Sequence, residues 1–181
     1  MQDEAGFAAF VAARGPALRR LAWLLTADLD AADDLVQEAL ARVVPRWHRI
    51  ADGAHEAYVR TAVRSIWIDG WRRRRGLRLV PWPEPAAAGR LELPDPAADD
   101  ESAVRLTLDQ ALARLTARQR TVLILRYYED LSHEQVAVEM GCSVSTSKSQ
   151  AQHALGRLRL LAPELAETFG REPVPNVEVS R

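Results

Sequence analysis

Apolar side chains along this chain recur at three- and four-residue spacing, and the stretches with a period read as helices. Phe7, Phe10, Val11, Leu18, Leu21, Ala22 and Leu25 predict a first helix over 7–26 that tolerates or kinks at Gly15-Pro16. A second begins near Asp30 and runs past Leu35, Val36, Leu40 and Val43 towards Trp47, with Asp30, Asp33 and Asp34 in its first turns, where acids complement the helix dipole, and Pro45 near its end. After a loop over His48 to Ala54, the apolar positions Tyr58, Val59, Ala62, Val63, Ile66 and Trp67 predict a third helix leading into Trp71 and the run Arg72 to Arg75.

The period then stops. Gly76 to about Glu101 holds five of the ten prolines, several alanines and many acids, the composition of a semi-extended linker, so the chain before and after it is expected to fold separately. Helical spacing resumes from Ser102 with Val104, Leu108, Leu112 and Leu115, and Thr116 is placed to cap the segment that carries Val122, Leu123 and Leu125.

Two short helices follow across a glycine. Ser132 and Gln135 form a capping box ahead of Val136, Ala137 and Met140. Gly141 supplies the left-handed backbone of a sharp turn, and Ser143 is placed to cap a helix from Val144. This is helix-turn-helix spacing. Val144, Ala151, Leu155 and Leu158 face inward on the second helix, while Ser145, Thr146, Lys148, Ser149 and Gln152 face out. Short hydroxyls, an amide and an ammonium suit base edges and phosphates, and Lys148, Arg157 and Arg159 put three cations and no acid between Val144 and Leu161. An ordinary helical hairpin of a bundle has the same spacing. The fold class is therefore all-α: a helical domain over 6–76, an acidic proline-rich linker over 77–101, a helix-turn-helix domain over 102–161, and a tail over 162–181 expected to be disordered.

Composition changes this picture in one respect. The 181-residue chain carries a net charge of −1, which looks wrong for a nucleic-acid binder until the charges are placed. Tyr58 to Arg78 holds seven arginines against Asp69, and Pro81 to Glu101 holds six acids against Arg90, so the neutral total hides a strongly positive local field. The third helix pairs those arginines with aromatics, guanidinium groups for phosphates and rings for unstacked bases. The alternative is that Trp67 and Trp71 are core residues and the arginines a solvated helix end.

No catalytic set is present: there is no phosphate-cradling glycine loop, no metal-ligand spacing among the four histidines, and no nucleophile paired with a base. Neither a cofactor nor a metal is expected, and the chain is not expected to be an enzyme. His133 beside Glu134 reads as a structural pair on a capping turn. The single cysteine, Cys142, beside Gly141, reads as a small buried turn residue. No apolar run approaches a membrane span, and acids at Asp3 and Glu4 stand where a signal peptide is basic, so a cytoplasmic location is expected.

Three segments carry a family resemblance: DAADDLVQEAL (30–40), YVRTAVRSIWIDGWRRRR (58–75) and LTARQRTVLILRYYEDLSHEQVAVEMGCSVSTSKSQ (115–150). In order and spacing they resemble the two-domain bacterial sigma factors of the extracytoplasmic-function group, over roughly residues 6 to 160. The resemblance implies a transcription initiation factor with RNA polymerase core and promoter DNA as partners, and leaves open an anti-sigma protein as a third. It implies that Asp33, Asp34, Leu35, Gln37 and Glu38 bind the polymerase clamp. It implies that the loop from His48 and the helix carrying Tyr58, Arg60, Arg64, Trp67, Trp71, Arg72, Arg73, Arg74 and Arg75 hold the melted −10 element. By the same resemblance, Ser145, Thr146, Lys148, Ser149, Gln152 and Arg157 read the −35 element. Where the family's recognition helix commonly reads Gly-Thr-Val-Lys-Ser-Arg, this chain has Ser145 to Gln150, with Ser147 in place of an apolar anchor and Gln150 in place of a cation.

A helix-turn-helix regulator that acts without polymerase would share the carboxy-terminal pattern, and a scaffold that binds partners through its helices would share the bundle. The acidic helix followed by the arginine-aromatic helix discriminates against the regulator, which has no need of that pair, and the scaffold predicts no DNA affinity.

Overall fold

The computed structural model describes residues 2–76 and 100–163, so most of the expected linker, and the tail beyond 163, lie outside the described residues. Among the described residues there are seven α-helices: α1 (Gln2–Thr26), α2 (Leu29–Val43), α3 (His55–Gly76), α4 (Asp100–Ala113), α5 (Ala117–Leu123), α6 (His133–Met140) and α7 (Val144–Leu161). A tight 3-10 turn over Val44–Arg49 follows α2, and a π-turn over Ile124–Tyr128 follows α5.

Local chemistry sets the boundaries. α1 continues through Pro16. It ends at Ala27, whose backbone is left-handed at φ 55°, and Asp28 then caps α2 by accepting from the Ala31 N–H at 2.8 Å. Thr116 and Gln119 form a capping box on α5, as Ser132 and Gln135 do on α6. Gly141 closes α6 with φ 61° and ψ 47°, and Ser143 caps α7 through the Thr146 N–H at 3.1 Å.

The two helical halves expected on either side of the linker pack against each other. Leu18, Leu21, Leu25, Val59 and Val63 of α1 and α3 share one core with Leu112, Leu115, Leu123, Ile124 and Ala154 of the second half. Ile68 of α3 enters a second cluster with Val122, Leu125, Val136, Met140 and Ala151.

Polar contacts cross the same boundary. Arg20 makes a bidentate pair with Asp109, at 2.6 and 2.5 Å, and Asp109 is almost fully buried. Arg120, only 3% exposed, donates from Nε and Nη2 to Leu25 O, from Nη2 to Thr26 O, and from Nη1 to Leu112 O and Leu115 O. All five N–H groups are thus used, and burial lowers the guanidinium pKa to about 10. Leu25 and Thr26 end α1, so their carbonyls lack helical partners, and the cation of α5 satisfies them.

Candidate nucleic-acid interface

The helix-turn-helix forms as its capping residues dictate, and α7 presents Ser145, Lys148 and Gln152 as an exposed stripe at three- and four-residue spacing. Thr146 and Ser149 are half-buried beside it, and Arg157 is exposed further along. Ser147 is fully buried, and its hydroxyl lies 3.0 Å from Nδ1 of His133 on α6. The position expected to lack an anchor therefore has a polar one that ties the two helices together. Burial first, then the charges of Arg126 and Lys148, hold the His133 pKa below its usual value against the opposing pull of Glu134. Cys142 is a half-buried turn residue packed against the Val136 and Met140 cluster.

On α2 the acids divide. Asp34, Gln37 and Glu38 are exposed, with Glu38 accepting from Arg42 at 3.2 Å. Asp33 is engaged by Arg19 in a bidentate pair at 2.6 Å, whose hydrogen bond and charge raise the Arg19 pKa. Leu35 is 7% exposed and belongs to the core, because it falls on the inward stripe with Ala32, Val36, Ala39 and Val43. The sequence reading missed Leu29 and Val44, large apolar side chains left exposed at the two ends of this helix. Their signal was available: Leu29, Asp33 and Gln37 stand at four-residue spacing on the face opposite the core.

The loop before α3 adjoins a cleft of about 340 Å³ lined by Phe10, Trp47, His48, Ile50, Asp52 and His55. Trp47 and His55 lie against each other with ring centroids 4.1 Å apart and their planes tilted by 35°, and Phe7 and Phe10 pack on Trp47 at 5.0 Å.

On α3 the residues expected to hold an opened strand have other partners. Arg60 donates from Nε to Glu129 at 3.0 Å and from Nη2 to the same carboxylate, and lies over the Tyr128 ring. Burial alone would lower the Arg60 pKa, but the hydrogen bond and charge of Glu129, with a smaller part from Tyr128, outweigh it and raise the value. Arg64 donates to the other Glu129 oxygen and, at 3.4 Å, to Glu139. Trp67 Nε1 donates to the buried hydroxyl of Thr121 at 2.9 Å, and Trp71 is buried with Arg118 over its ring. Arg72 donates to Glu139 O at 2.7 Å and Val138 O at 3.4 Å. Tyr58 and Arg73 are exposed; the side chains of Arg74 and Arg75 lie outside the described residues. Trp71 is thus a packing residue here, the alternative that its spacing on α3 left open. No group of metal-ligating side chains occurs among the described residues, and no described helix is long and apolar enough to cross a membrane.

The sigma-70 region 2 family matches residues 10–76, and the sigma-70 region 4 family matches residues 105–158. The chain is 38% identical over 157 residues to the RNA polymerase sigma-E factor of Streptomyces avermitilis, covering 84% of this chain and 83% of that one. It is 37% identical over 173 residues to the factor of the same name from Streptomyces coelicolor, covering 92% and 93%. It is 33% identical over 153 residues to the ECF RNA polymerase sigma factor SigL of Mycobacterium tuberculosis, covering 83% and 85%. Among solved structures it is similar to the sigma factor RpoE of Bartonella quintana in complex with the anti-sigma factor NepR, with a TM-score of 0.54, 28% identity, and coverage of 87% of this chain and 97% of that one. With the two family matches in this order along the chain and these relatives covering most of it, the chain belongs to the extracytoplasmic-function group of sigma-70 family RNA polymerase sigma factors.

Proposed function

We propose that this sigma factor divides promoter recognition among three surfaces, the exposed face of α2, the cationic face of α3 with the loop before it, and the exposed stripe of α7. On α2, Asp34, Gln37 and Glu38 supply the polar contacts to polymerase core, Leu29 and Val44 add apolar ones at either end, and Leu35 holds the helix in place from inside. On α3, Tyr58, Arg60, Arg64, Trp67, Arg72, Arg73, Arg74 and Arg75 hold the melted −10 strand. The aromatic cleft beside His48 and Asp52 is the candidate site for an unstacked base. On α7, Ser145, Thr146, Lys148, Ser149 and Gln152 face the major groove of the −35 element, and Arg157 reaches phosphate.

The observation that carries this reading is the geometry of the helix-turn-helix: a left-handed Gly141, a capped α7, and an exposed stripe that is polar and cationic with no acid in it. The protein works as a transcription initiation factor in the cytoplasm, with no catalytic step of its own. If NepR marks a partner class, an anti-sigma protein would be a further regulator of this chain. Run-off transcription with purified core polymerase on genomic DNA, with start sites mapped, tests it. Initiation at a discrete set of promoters sharing −10 and −35 sequences is expected, and no stimulation of core polymerase would overturn the reading.

A further inference from the structure

The amino-terminal half of α7 carries the exposed stripe but has little apolar grip on the rest of the fold. Its buried positions, Ser147 and Ala151, are small, whereas Leu155, Leu158 and Leu161 hold the second half against the large core. The directional contact in the first half is the one between the Ser147 hydroxyl and Nδ1 of His133, the first residue of α6, at 3.0 Å. We propose that His133 is a further contact of the −35 interface, its Nδ1 held by Ser147 so that Nε2 meets a backbone phosphate and duplex binding takes up a proton. This rests on the reading of α7 as the helix in the major groove.

The motif places His133 where a phosphate passes. In a helix-turn-helix the second helix puts its amino-terminal residues against base edges, while the first helix crosses the sugar-phosphate backbone beside the groove. His133 stands at the amino-terminal end of the first helix and meets α7 at Ser147, next to the exposed Lys148. Its half-buried ring therefore lies at the edge of the groove, with one nitrogen committed to Ser147 and Nε2 left for a ligand.

Serine suits this pair because a hydroxyl can donate or accept. With the ring neutral, Ser147 donates to Nδ1 and the ring hydrogen sits on Nε2. With the ring protonated, Nδ1–H donates to Ser147 Oγ, and Nε2 keeps its hydrogen. Nε2 is thus a donor in both states, and a stronger one towards phosphate when the ring is charged. An apolar side chain at 147 would leave a buried Nδ1–H without an acceptor and so oppose the proton. The residue that departs from the family's common pattern is the one that lets the ring charge.

Without DNA the ring resists that charge. Burial is the largest cause, followed by Arg126 from the π-turn and Lys148 from α7; Glu134, next along α6, pulls the other way, and the His133 pKa lies below its usual value. The amino-terminal end of α6 also disfavours a cation. A phosphate beside Nε2 adds a negative charge and offsets that of Lys148, so the pKa is higher in the complex than in the free chain. Between those two values the complex holds a proton that the free chain lacks, and duplex affinity rises as pH falls through that window.

The test uses the full chain and a short labelled duplex of mixed sequence, since a phosphate contact carries no sequence information. Anisotropy is followed across a salt titration at about pH 7.5 and about pH 5.5, with circular dichroism at both to show that each protein is folded. On acidification, wild-type affinity should gain roughly three- to tenfold more than that of His133→Gln, and its salt slope should steepen by up to about 0.9, the value of one added ionic contact. His153, exposed on α7, is present in every protein, so the difference isolates residue 133. Ser147→Ala removes the hydroxyl within the space that the serine occupies; it should bind like wild type at the higher pH and lose most of the acid gain. Parallel pH profiles in wild type and His133→Gln, with salt-dependent binding intact, would overturn the phosphate contact and leave α7 in the groove. A full acid gain in Ser147→Ala would overturn the part given to the serine. No duplex binding by any of the three proteins would instead overturn the reading of α7, and the proton-linked contact with it.

Discussion

Arg120→Met asks how much the join between the two halves is worth. Methionine keeps the apolar stem of the side chain and removes the fork of five donors. Leu112 O retains a partner in the Leu115 N–H, so Leu25 O, Thr26 O and Leu115 O lose most. Stranding a buried acceptor costs about 1 to 3 kcal/mol, or roughly 6 kcal/mol for three at the middle of that range. Against this, the variant no longer buries a charge. The fall of the guanidinium pKa from 12.5 to about 10 puts that relief at about 3 to 4 kcal/mol, at roughly 1.4 kcal/mol per unit. The net loss is then about 2 to 3 kcal/mol, which lowers Tm by roughly 4 to 12 °C in a chain of this size. Arg120→Lys keeps the buried charge with three donors in place of five, and is expected to fall at least as far. Thermal unfolding followed by circular dichroism at pH 7 measures both. A loss below about 1 kcal/mol in either variant would mean that water replaces the fork, and that the shared apolar core alone holds the halves together.

Three further outcomes rest on named groups. Reversing Asp34 and Glu38 to arginine should weaken association with polymerase core by about tenfold or more in a quantitative pull-down, with thermal stability changed by no more than about 0.5 kcal/mol since both side chains are exposed. On duplex DNA, Lys148→Ala should flatten the salt dependence of affinity by about 0.9 in slope and Gln150→Arg should steepen it by about 0.9, so equal slopes across the three proteins would show that α7 does not meet phosphate at either position. Because the folded pKa of His133 lies below the 6.5 of an unfolded chain, the folded state binds fewer protons between those two values. Stability contributed there is present above pH 6.5 and lost as pH falls through the folded value, so Tm should drop on acidification more steeply in the wild type than in His133→Gln, and parallel curves would refute it.

The helices, caps and turn were legible because each has a local cause. Thr116 as a cap, Ser132 with Gln135, and Gly141 act within four residues of themselves, and all three appear in the fold as their spacing implies. The join between the halves was not legible, since Arg120 bonds Leu25 and Thr26 across more than ninety residues and nothing in a helical period points to a distant carbonyl. Trp67 and Trp71 show the intermediate case. Periodicity allowed them the inner stripe of α3 without deciding it, and only the tertiary packing shows that Thr121 takes the indole N–H and that Arg118 covers the second ring.

Ser147 and Glu129 show that the polarity of a side chain does not decide where it faces. A buried hydroxyl needs one partner, and His133 provides it, so a serine at an apolar position tightens the helix pair at the expense of a methyl contact. A glutamate in a tyrosine-rich turn reads as solvated until Arg60 and Arg64 arrive from α3. Guanidinium groups are indifferent to whether the oxygen they bind belongs to a phosphate, a carboxylate or the end of a helix. A run of arginines therefore defines the charge of the ligand but not its identity, and in a chain with nearly balanced charge the acids that match it are as much a part of the binding surface as the cations. Placing the seven arginines of 58–78 identified the cationic face; finding its present occupant required asking which acids in the second half could reach it.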